Sequence, residues 1–131
     1  MCYPVIFYPK KALKNNDKYI INLDTSKEPG SHYIAISIKK DSVIYFDSFG
    51  MKCTNPYIQK SLKKCKKKII SSKSPIQSIN SLFCGFFSLA FLICDSYNME
   101  LQDFLHLFDK ENHGANDSVC TSIIMKHITT L

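Results

Sequence analysis

Three short segments in the first half of the chain are rich in β-branched and aromatic residues and are separated by turn-forming residues. They cover residues 19–23, 32–38 and 43–47. Runs of this kind are typical of β-strands. The sequence Glu-Pro-Gly-Ser at 28–31 turns the chain into the second segment, and only residues 39–42 lie between the second and the third. The pattern therefore predicts a β-hairpin built from the second and third segments.

Beyond residue 54 the apolar positions follow helical spacing. Asn55 followed by Pro56 predicts a helix start, because Asn caps helix N-termini and Pro is favoured at the first helical position. The apolar side chains that recur after this start are those of Ile58, Leu62, Cys65 and Ile69. We expect the lysines between them to face solvent. A further short strand is expected near Ile76.

The most apolar segment, residues 82–94, is apolar on every side, which is typical of a helix enclosed by the rest of a domain. It is too short to span a membrane, which takes about 20 residues. Apolar residues at i, i+3, i+4 and i+7 predict a second helix; they are Leu101, Phe104, Leu105 and Phe108. A last helix is expected to start near Asp117 and to carry Val119 and Ile123 inward. Strands followed by helices predict an α+β fold.

The size and composition suit one globular domain over residues 1–131, because 45% of the residues are hydrophobic and 21% are charged. They exclude collagenous, low-complexity and disordered chains. No basic segment followed by an apolar one opens the sequence, so we expect an intracellular protein that is neither secreted nor bound to a membrane. The six cysteines lack the short spacings of zinc sites, and we expect reduced thiols and no metal.

Positive charge is concentrated in one part of the chain. The net charge is +6, all 17 cationic side chains are lysines, and residues 48–94 carry eight of them and no acid. The densest group, called the lysine cluster below, consists of Lys60, Lys63, Lys64, Lys66, Lys67 and Lys68. We expect the lysine cluster to bind nucleic acid weakly through phosphate contacts, or else to be a solvated helix face or a nuclear import signal.

The predicted hairpin brings together a histidine and an acid. If Lys40 and Asp41 form a two-residue loop, Asp47 lies opposite Ile34, and His32 lies one step diagonally on the same face. Diagonal neighbours are within reach of long side chains. A register slip of one residue would put His32 and Asp47 on opposite faces. In that case His32 would be a surface residue and Asp47 would cap a turn.

A cysteine stands where a loop is expected to enter the apolar helix. The helix dipole and free N–H groups at such a position favour the thiolate of Cys84, and a protonated histidine nearby would favour it further. Gly85 leaves room for the close approach of a substrate carbonyl. Gln77, seven residues before Cys84, could donate to an oxyanion together with the Cys84 backbone N–H. Alternatively, Cys84 is a core residue and Gln77 is polar surface.

These residues occur in four segments that together resemble a known family. The segments are Glu-Pro-Gly-Ser-His-Tyr-Ile-Ala at 28–35, Val-Ile-Tyr-Phe-Asp-Ser-Phe-Gly at 43–50, Gln77, and Cys-Gly-Phe-Phe at 84–87. In this order they resemble the adenovirus-type (adenain-like) cysteine proteases, above all members encoded by Polinton/Maverick elements and virophages. The resemblance extends to Asn-Asp-Ser-Val at 116–119. Tyr33 stands where the family usually has Trp, and the chain is shorter than the adenoviral enzymes.

The resemblance implies a papain-like fold with a permuted order of catalytic elements and a role for each matching residue. Cys84 would be the nucleophile, and His32 the general base and acid. Asp47 would orient the histidine, and Gln77 would stabilise the oxyanion. The substrate contacts implied by the motifs are Gly30, Ser31, Tyr33 and Gly85.

The function implied is that of a monomeric maturation endopeptidase. It would cleave capsid or other structural precursors at Gly-containing sites, in the host cytoplasm or nucleus and in virus particles. No cofactor is expected, although a DNA or peptide activator and non-specific contacts with DNA stay open. A protease of ubiquitin-like modifiers (a deubiquitinase or deSUMOylase) shares the fold and the residue order and is one alternative. A non-catalytic, Lys-rich nucleic-acid-binding protein is another, and its cysteines would have no reason to react with a protease inhibitor.

Overall fold

The computed structural model describes residues 14–23 and 32–131 of the chain. Four strands in these residues form one mixed sheet with the order β1-β2-β3-β4. Their bounds are Lys18–Asn22 for β1, Tyr33–Ile38 for β2, Ser42–Phe46 for β3 and Lys68–Ser71 for β4. The first three strands are antiparallel neighbours, and β4 runs parallel to β3. The turn expected at 28–31 lies outside the described residues.

Helices pack on both faces of the sheet. Their bounds are Pro56–Lys64 for α1, Cys84–Ser96 for α2, Leu101–Leu105 for α3 and Asn116–Thr129 for α4, with a 3₁₀ turn at His113–Ala115. Because successive strand residues point to opposite faces, Tyr45 packs with the α1 side chains and Phe46 packs with those of α2, α3 and α4. The sheet is therefore buried on both faces, and the expected α+β class is confirmed.

The hairpin has the expected register. Ile38 pairs with Val43, the Lys39 N–H donates to the Ser42 carbonyl at 2.8 Å, and Ala35 lies opposite Phe46. If the pairing is continued by one residue, Asp47 lies opposite Ile34, just beyond the end of β3. His32, just before the start of β2, is two residues from Ile34 and therefore lies on the same face of the sheet. The two-residue loop thus fixes which face the histidine and the acid share.

The helix start at Asn55 is confirmed, but the end of α1 differs from the expectation. The Asn55 side chain accepts hydrogen bonds from two backbone N–H groups of the first turn. The helix ends at Lys64, and Lys66 has a left-handed φ of 52°, which turns the chain into β4. Ile69 is therefore a strand residue, and its helical spacing from Leu62 is coincidental. The prediction of a strand near Ile76 is wrong as well, because the strand that follows α1 is β4, at Lys68–Ser71.

The segment expected to be a buried helix is confirmed as α2. Phe87, Ala90 and Phe91 are fully buried against the sheet and the later helices. One feature of α2 was not expected, namely a buried acid at its C-terminal end. Asp95 is 3% exposed and forms ion pairs with Lys18 and Lys39, which belong to the sheet side of the molecule. These ion pairs fasten the end of α2 to the sheet.

The last two helices agree with their apolar spacing. All four residues of the i, i+3, i+4, i+7 set are buried, three of them in α3 and Phe108 just after it. Helix α4 starts at Asn116, one residue before the expected position, and Val119 and Ile123 pack against the core. Within residues 14–23 and 32–131, no helix is long and apolar enough to cross a membrane.

Candidate active site

His32 and Asp47 meet as the register predicts. The Nε2 atom of His32 lies 3.0 Å from Oδ2 of Asp47. Asp47 is 2% exposed, whereas the His32 side chain is 21% exposed. The Phe49 ring packs against the imidazole, with ring centroids 5.2 Å apart. The imidazole is thus held by a buried carboxylate on one edge and by an aromatic face, while part of it stays open to solvent.

Backbone and serine contacts hold Asp47 in place. The Phe49 N–H donates to Oδ1 of Asp47 at 2.8 Å. The Ser72 hydroxyl accepts from the Asp47 N–H and donates to the Asp47 carbonyl, both at 2.9 Å. Hydrogen bonds therefore hold both the side chain and the backbone of Asp47. No pattern in the sequence distinguished Ser72 from its serine neighbours.

Gly50 closes the turn that follows Asp47. Its N–H donates to the Asp47 carbonyl at 2.8 Å, and its φ of 69° is one that residues with side chains rarely adopt. A Cβ atom at this position would lie 2.8 Å from the Ser74 carbonyl carbon and 2.9 Å from the Pro75 nitrogen. Only glycine fits there, because both the φ angle and the neighbouring backbone exclude a side chain.

Cys84 begins α2, at the position expected for an activated thiol. It is buried, and its Sγ atom accepts a hydrogen bond from the Tyr33 N–H at 3.5 Å. The hydroxyl of the fully buried Ser88, one turn further along α2, donates to the Tyr33 carbonyl at 3.3 Å. The start of β2 and the start of α2 are thereby joined, which brings the thiol next to His32.

The imidazole and the thiol shift each other's pKa. Burial alone would lower the pKa of His32, but hydrogen bonds with Asp47 and Cys84 outweigh it and raise that pKa to about 9. Burial raises the pKa of Cys84, but the hydrogen bond with His32 and those from backbone N–H groups outweigh it and lower that pKa below its ordinary value. These opposite shifts favour a thiolate–imidazolium pair near neutral pH.

The other described cysteines behave differently. Burial raises the pKa of each of them, and these residues are Cys53, Cys65, Cys94 and Cys120. Among the described cysteines, Cys84 is therefore the thiol prepared for reaction at neutral pH. In the same parts of the chain, no group of three or more His, Cys, Asp or Glu side chains is placed to hold a metal ion.

Gln77 is buried on the loop between β4 and α2. It is 2% exposed. The Ser48 hydroxyl donates to its Oε1 atom, and its Nε2 atom donates to the Ser81 carbonyl at 2.9 Å. An amide nitrogen has two N–H donors, so the contact with Ser81 leaves one of them for a ligand. The backbone N–H groups of Ile76 and Gln77 both donate to the Ser48 carbonyl, which ties this loop to the turn after Asp47.

Two of the four expected substrate contacts lie in the described residues. Tyr33 and Gly85 are neighbours, since a Cβ atom on Gly85 would lie 3.6 Å from the Tyr33 ring. That distance is an ordinary van der Waals contact, so the fold itself does not require glycine at 85. Gly30 and Ser31 lie outside the described residues.

An open cleft of about 800 Å³ adjoins the site. It is lined on one side by Gln77 and by Phe49, the residue packed on His32. The rest of its lining consists of Met51, Pro75, Ser78, Ile79 and residues 111–114. Two of its large hydrophobic side chains are exposed, Met51 at 60% and Ile79 at 87%. The cleft thus offers an apolar surface next to Gln77 and to the Phe49 ring that packs on His32.

The lysine cluster does not form one helix face. Lys60, Lys63 and Lys64 belong to α1 and are exposed, whereas the other three follow the helix. Lys67 was expected to face solvent, but it is half-buried, and its ammonium group donates to the Lys39 carbonyl and to the Asn15 side chain. The expectation was wrong for Lys67, because the chain has already left the helix at that point.

Comparisons with protein-family models and with curated protein sequences found no match. Among solved structures, the fold is similar to that of the ASFV pS273R protease, with a TM-score of 0.59 and 19% sequence identity. The similarity covers 73% of this chain and 40% of that one, so this chain spans less than half the length of that protease. At this identity the likeness shows the fold. The chain has a papain-like cysteine protease fold, as the sequence motifs implied.

Proposed function

We propose that this chain is a cysteine endopeptidase. Cys84 is the nucleophile, His32 the general base and acid, Asp47 the group that orients His32, and Gln77 an oxyanion donor. The observation that carries the proposal is the row of contacts from Cys84 through His32 to Asp47, with a lowered pKa at the thiol and a raised one at the imidazole. Since Nε2 of His32 faces Asp47, the other ring nitrogen, Nδ1, is left for the thiol.

The chemistry follows from these contacts. The Cys84 thiolate attacks the carbonyl carbon of the scissile bond, and a carbon–sulfur bond forms while the carbonyl electrons move to oxygen. The Gln77 amide and the Cys84 backbone N–H stabilise the resulting oxyanion. The imidazolium of His32 then gives its proton to the leaving amine as the carbon–nitrogen bond breaks. Water, deprotonated by His32, hydrolyses the thioester and restores the thiolate.

The substrates we propose are structural precursor proteins of a virus or mobile element, cut at Gly-containing sites. The motif resemblance supports this choice, as does the structural likeness to a viral protease. Tyr33 lies beside both the thiol and Gly85, whose missing side chain leaves room for a substrate carbonyl near Sγ. Because His32 protonates the leaving amine, the cleft beside Phe49 is the place for the residues after that bond.

Labelling with a peptide vinyl sulfone ending in Gly tests the proposal directly. The wild type should become labelled at Cys84, and Cys84→Ala should not react. His32→Ala should react much more slowly, whereas the matched control Cys65→Ala should react like the wild type, since burial raises the pKa of the Cys65 thiol. Equal labelling of the wild type and His32→Ala would refute the activated thiol. Cleavage of ubiquitin-like fusions rather than capsid precursors would point to the alternative substrate class.

A further inference from the structure

A second cavity lies away from Cys84, between α1 and β4. Its volume is about 560 Å³, which is in the range of cavities that hold small organic ligands. Its lining comprises Tyr45, Gly50, Lys52, Cys53, Gln59, Leu62, Lys63, Ile69, Ser71, Ser72 and Lys73. Three of these residues are lysines, and none of the lining residues, which all belong to the described part of the chain, is an acid. The lining is therefore suited to an anion.

A buried hydroxyl group marks the inner wall of this cavity. Tyr45 lines the cavity and is 1% exposed. Across residues 14–23 and 32–131 its hydroxyl has no hydrogen bond of good geometry, although the Cys53 thiol, a weak partner, lies close to it. A buried hydroxyl without a strong partner is unfavourable, because it has lost its hydrogen bonds with water. Burial raises the pKa of Tyr45, so the group stays protonated and can donate to a ligand.

We propose that this cavity binds a small organic molecule carrying a phosphate chain. Lys52, Lys63 and Lys73 would bind the phosphate charges, since lysine binds phosphate as a point charge. The Tyr45 hydroxyl would donate to a phosphate oxygen, and Leu62 and Ile69 would pack against the organic part. The site is distinct from the lysine cluster, of which only Lys63 takes part in the lining.

The cavity also adjoins the residues that hold Asp47. Ser72, whose hydroxyl bridges the Asp47 N–H and carbonyl, lines the cavity, and so does Gly50, which closes the same turn. A ligand bound here can therefore alter the position of Asp47. An effect of this ligand on turnover rests on the proposed function, whereas the binding of the ligand to the cavity is independent of that function.

Isothermal titration calorimetry of the full chain with ATP, in EDTA and at constant ionic strength, tests the site without any assay of activity. The cavity variant carries Lys52→Gln, Lys63→Gln and Lys73→Gln. The control variant carries Lys60→Gln, Lys64→Gln and Lys66→Gln, which remove the same charge outside the lining. The cavity variant should bind ATP at least about tenfold more weakly, because it removes the three lysines that would bind the phosphate charges. The control should bind within about twofold of the wild type, since no ligand contact is removed.

Two further measurements test the parts of the site separately. Tyr45→Phe should weaken ATP binding while leaving the Tm of the free protein equal or higher, because it removes a buried polar group whose neighbour, the Cys53 thiol, is only a weak partner. Tripolyphosphate should bind more weakly than ATP, and equal binding would overturn the part assigned to Leu62 and Ile69. An equal loss of ATP affinity in the two triple variants, or binding that does not saturate, would overturn the proposed site. Either result would mean that the lysines attract anions only through their general positive charge.

Discussion

The Ser48 hydroxyl donates to Oε1 of Gln77, and both residues are buried. An amide whose oxygen accepts a hydrogen bond must present its NH₂ group on the other side. The hydrogen bond from Ser48 thereby determines that the NH₂ end of the Gln77 amide faces the Ser81 carbonyl. Gln77 can act as an oxyanion donor only in this orientation.

The first prediction concerns this pair. Gln77→Ala should lower kcat by about 10² to 10³, the usual effect of losing one oxyanion donor, with little change in KM. Ser48→Ala should lower kcat by about two- to tenfold, because one hydrogen bond that fixes the amide contributes about 0.5–1.5 kcal/mol. Steady-state kinetics on a peptide substrate give both values. A change in KM alone would assign Gln77 to substrate binding.

The second prediction is the pH dependence of Cys84. Its lowered pKa means that iodoacetamide should modify Cys84 at neutral pH ahead of the other described cysteines, as peptide mapping would show. Because the pKa of His32 is raised to about 9, peptide cleavage should fall above about that pH, where the imidazole has no proton for the leaving amine. Alkylation should persist there, since the thiolate remains. In His32→Ala the alkylation curve should move to higher pH.

The third prediction separates the roles of His32 and Asp47. His32→Ala should reduce turnover by several orders of magnitude, and Asp47→Asn should reduce it less, since in the proposed mechanism Asp47 orients the ring and His32 moves the proton. Asp47→Asn also removes a charge that raises the pKa of His32, so the alkaline limit of cleavage should shift to lower pH. An unchanged pH profile with an unchanged rate would make Asp47 a turn residue. Circular dichroism of both variants should stay native.

The fourth prediction concerns the lysine cluster, which we expect to bind DNA weakly and without sequence preference. Replacing Lys60, Lys63, Lys64 and Lys66 by Gln should flatten the salt dependence of duplex DNA binding, because fewer phosphate contacts release fewer counterions. Cleavage of a short peptide should not change. Lys67 is left intact because its ammonium group is bonded to the Lys39 carbonyl. Fluorescence titration at several salt concentrations is the measurement, and equal slopes would reduce the cluster to a solvated surface.

The fifth prediction concerns the buried acid of α2. Asp95→Asn should lower the free energy of unfolding by about 1.5–3 kcal/mol, the contribution of hydrogen bonds to a charged group. The pKa of Asp95 is lowered, against burial, by its bonds with Lys18, Lys39 and Ser37. Its stabilisation is therefore present above the unfolded pKa and is lost as the pH falls through the folded value. Urea unfolding at several pH values measures this, with the exposed Asp103→Asn as the control.

The sequence was sufficient for those parts of the site that depend on local geometry. A two-residue loop fixes the register that places His32 near Asp47, and the change from loop to apolar helix marks Cys84. Apolar spacing alone did not show where α1 ends, because Ile69 fits a helix and a strand equally well. The left-handed φ of Lys66 decides the matter.

The serines and the buried acid could not be predicted in the same way. Ser72 acts on Asp47 through a contact between residues 25 positions apart, and Asp95 meets Lys18 over 77 positions. Neither has a spacing that a local pattern can reveal. Ser48 had one signal, its place directly after Asp47 in a recognised motif, but that signal does not say which atom it contacts.

The missing side chain at Gly50 has a consequence for how the site tolerates change. The turn that carries Asp47 and the segment leading to Gln77 touch there, backbone to backbone, with no room for a Cβ atom. A side chain at this position would push the two segments apart, and the distance between Asp47 and Gln77 would change. Substitutions in the turn that carries Asp47 and in the segment leading to Gln77 therefore affect each other, because the two backbones are separated at Gly50 by the space of one hydrogen atom.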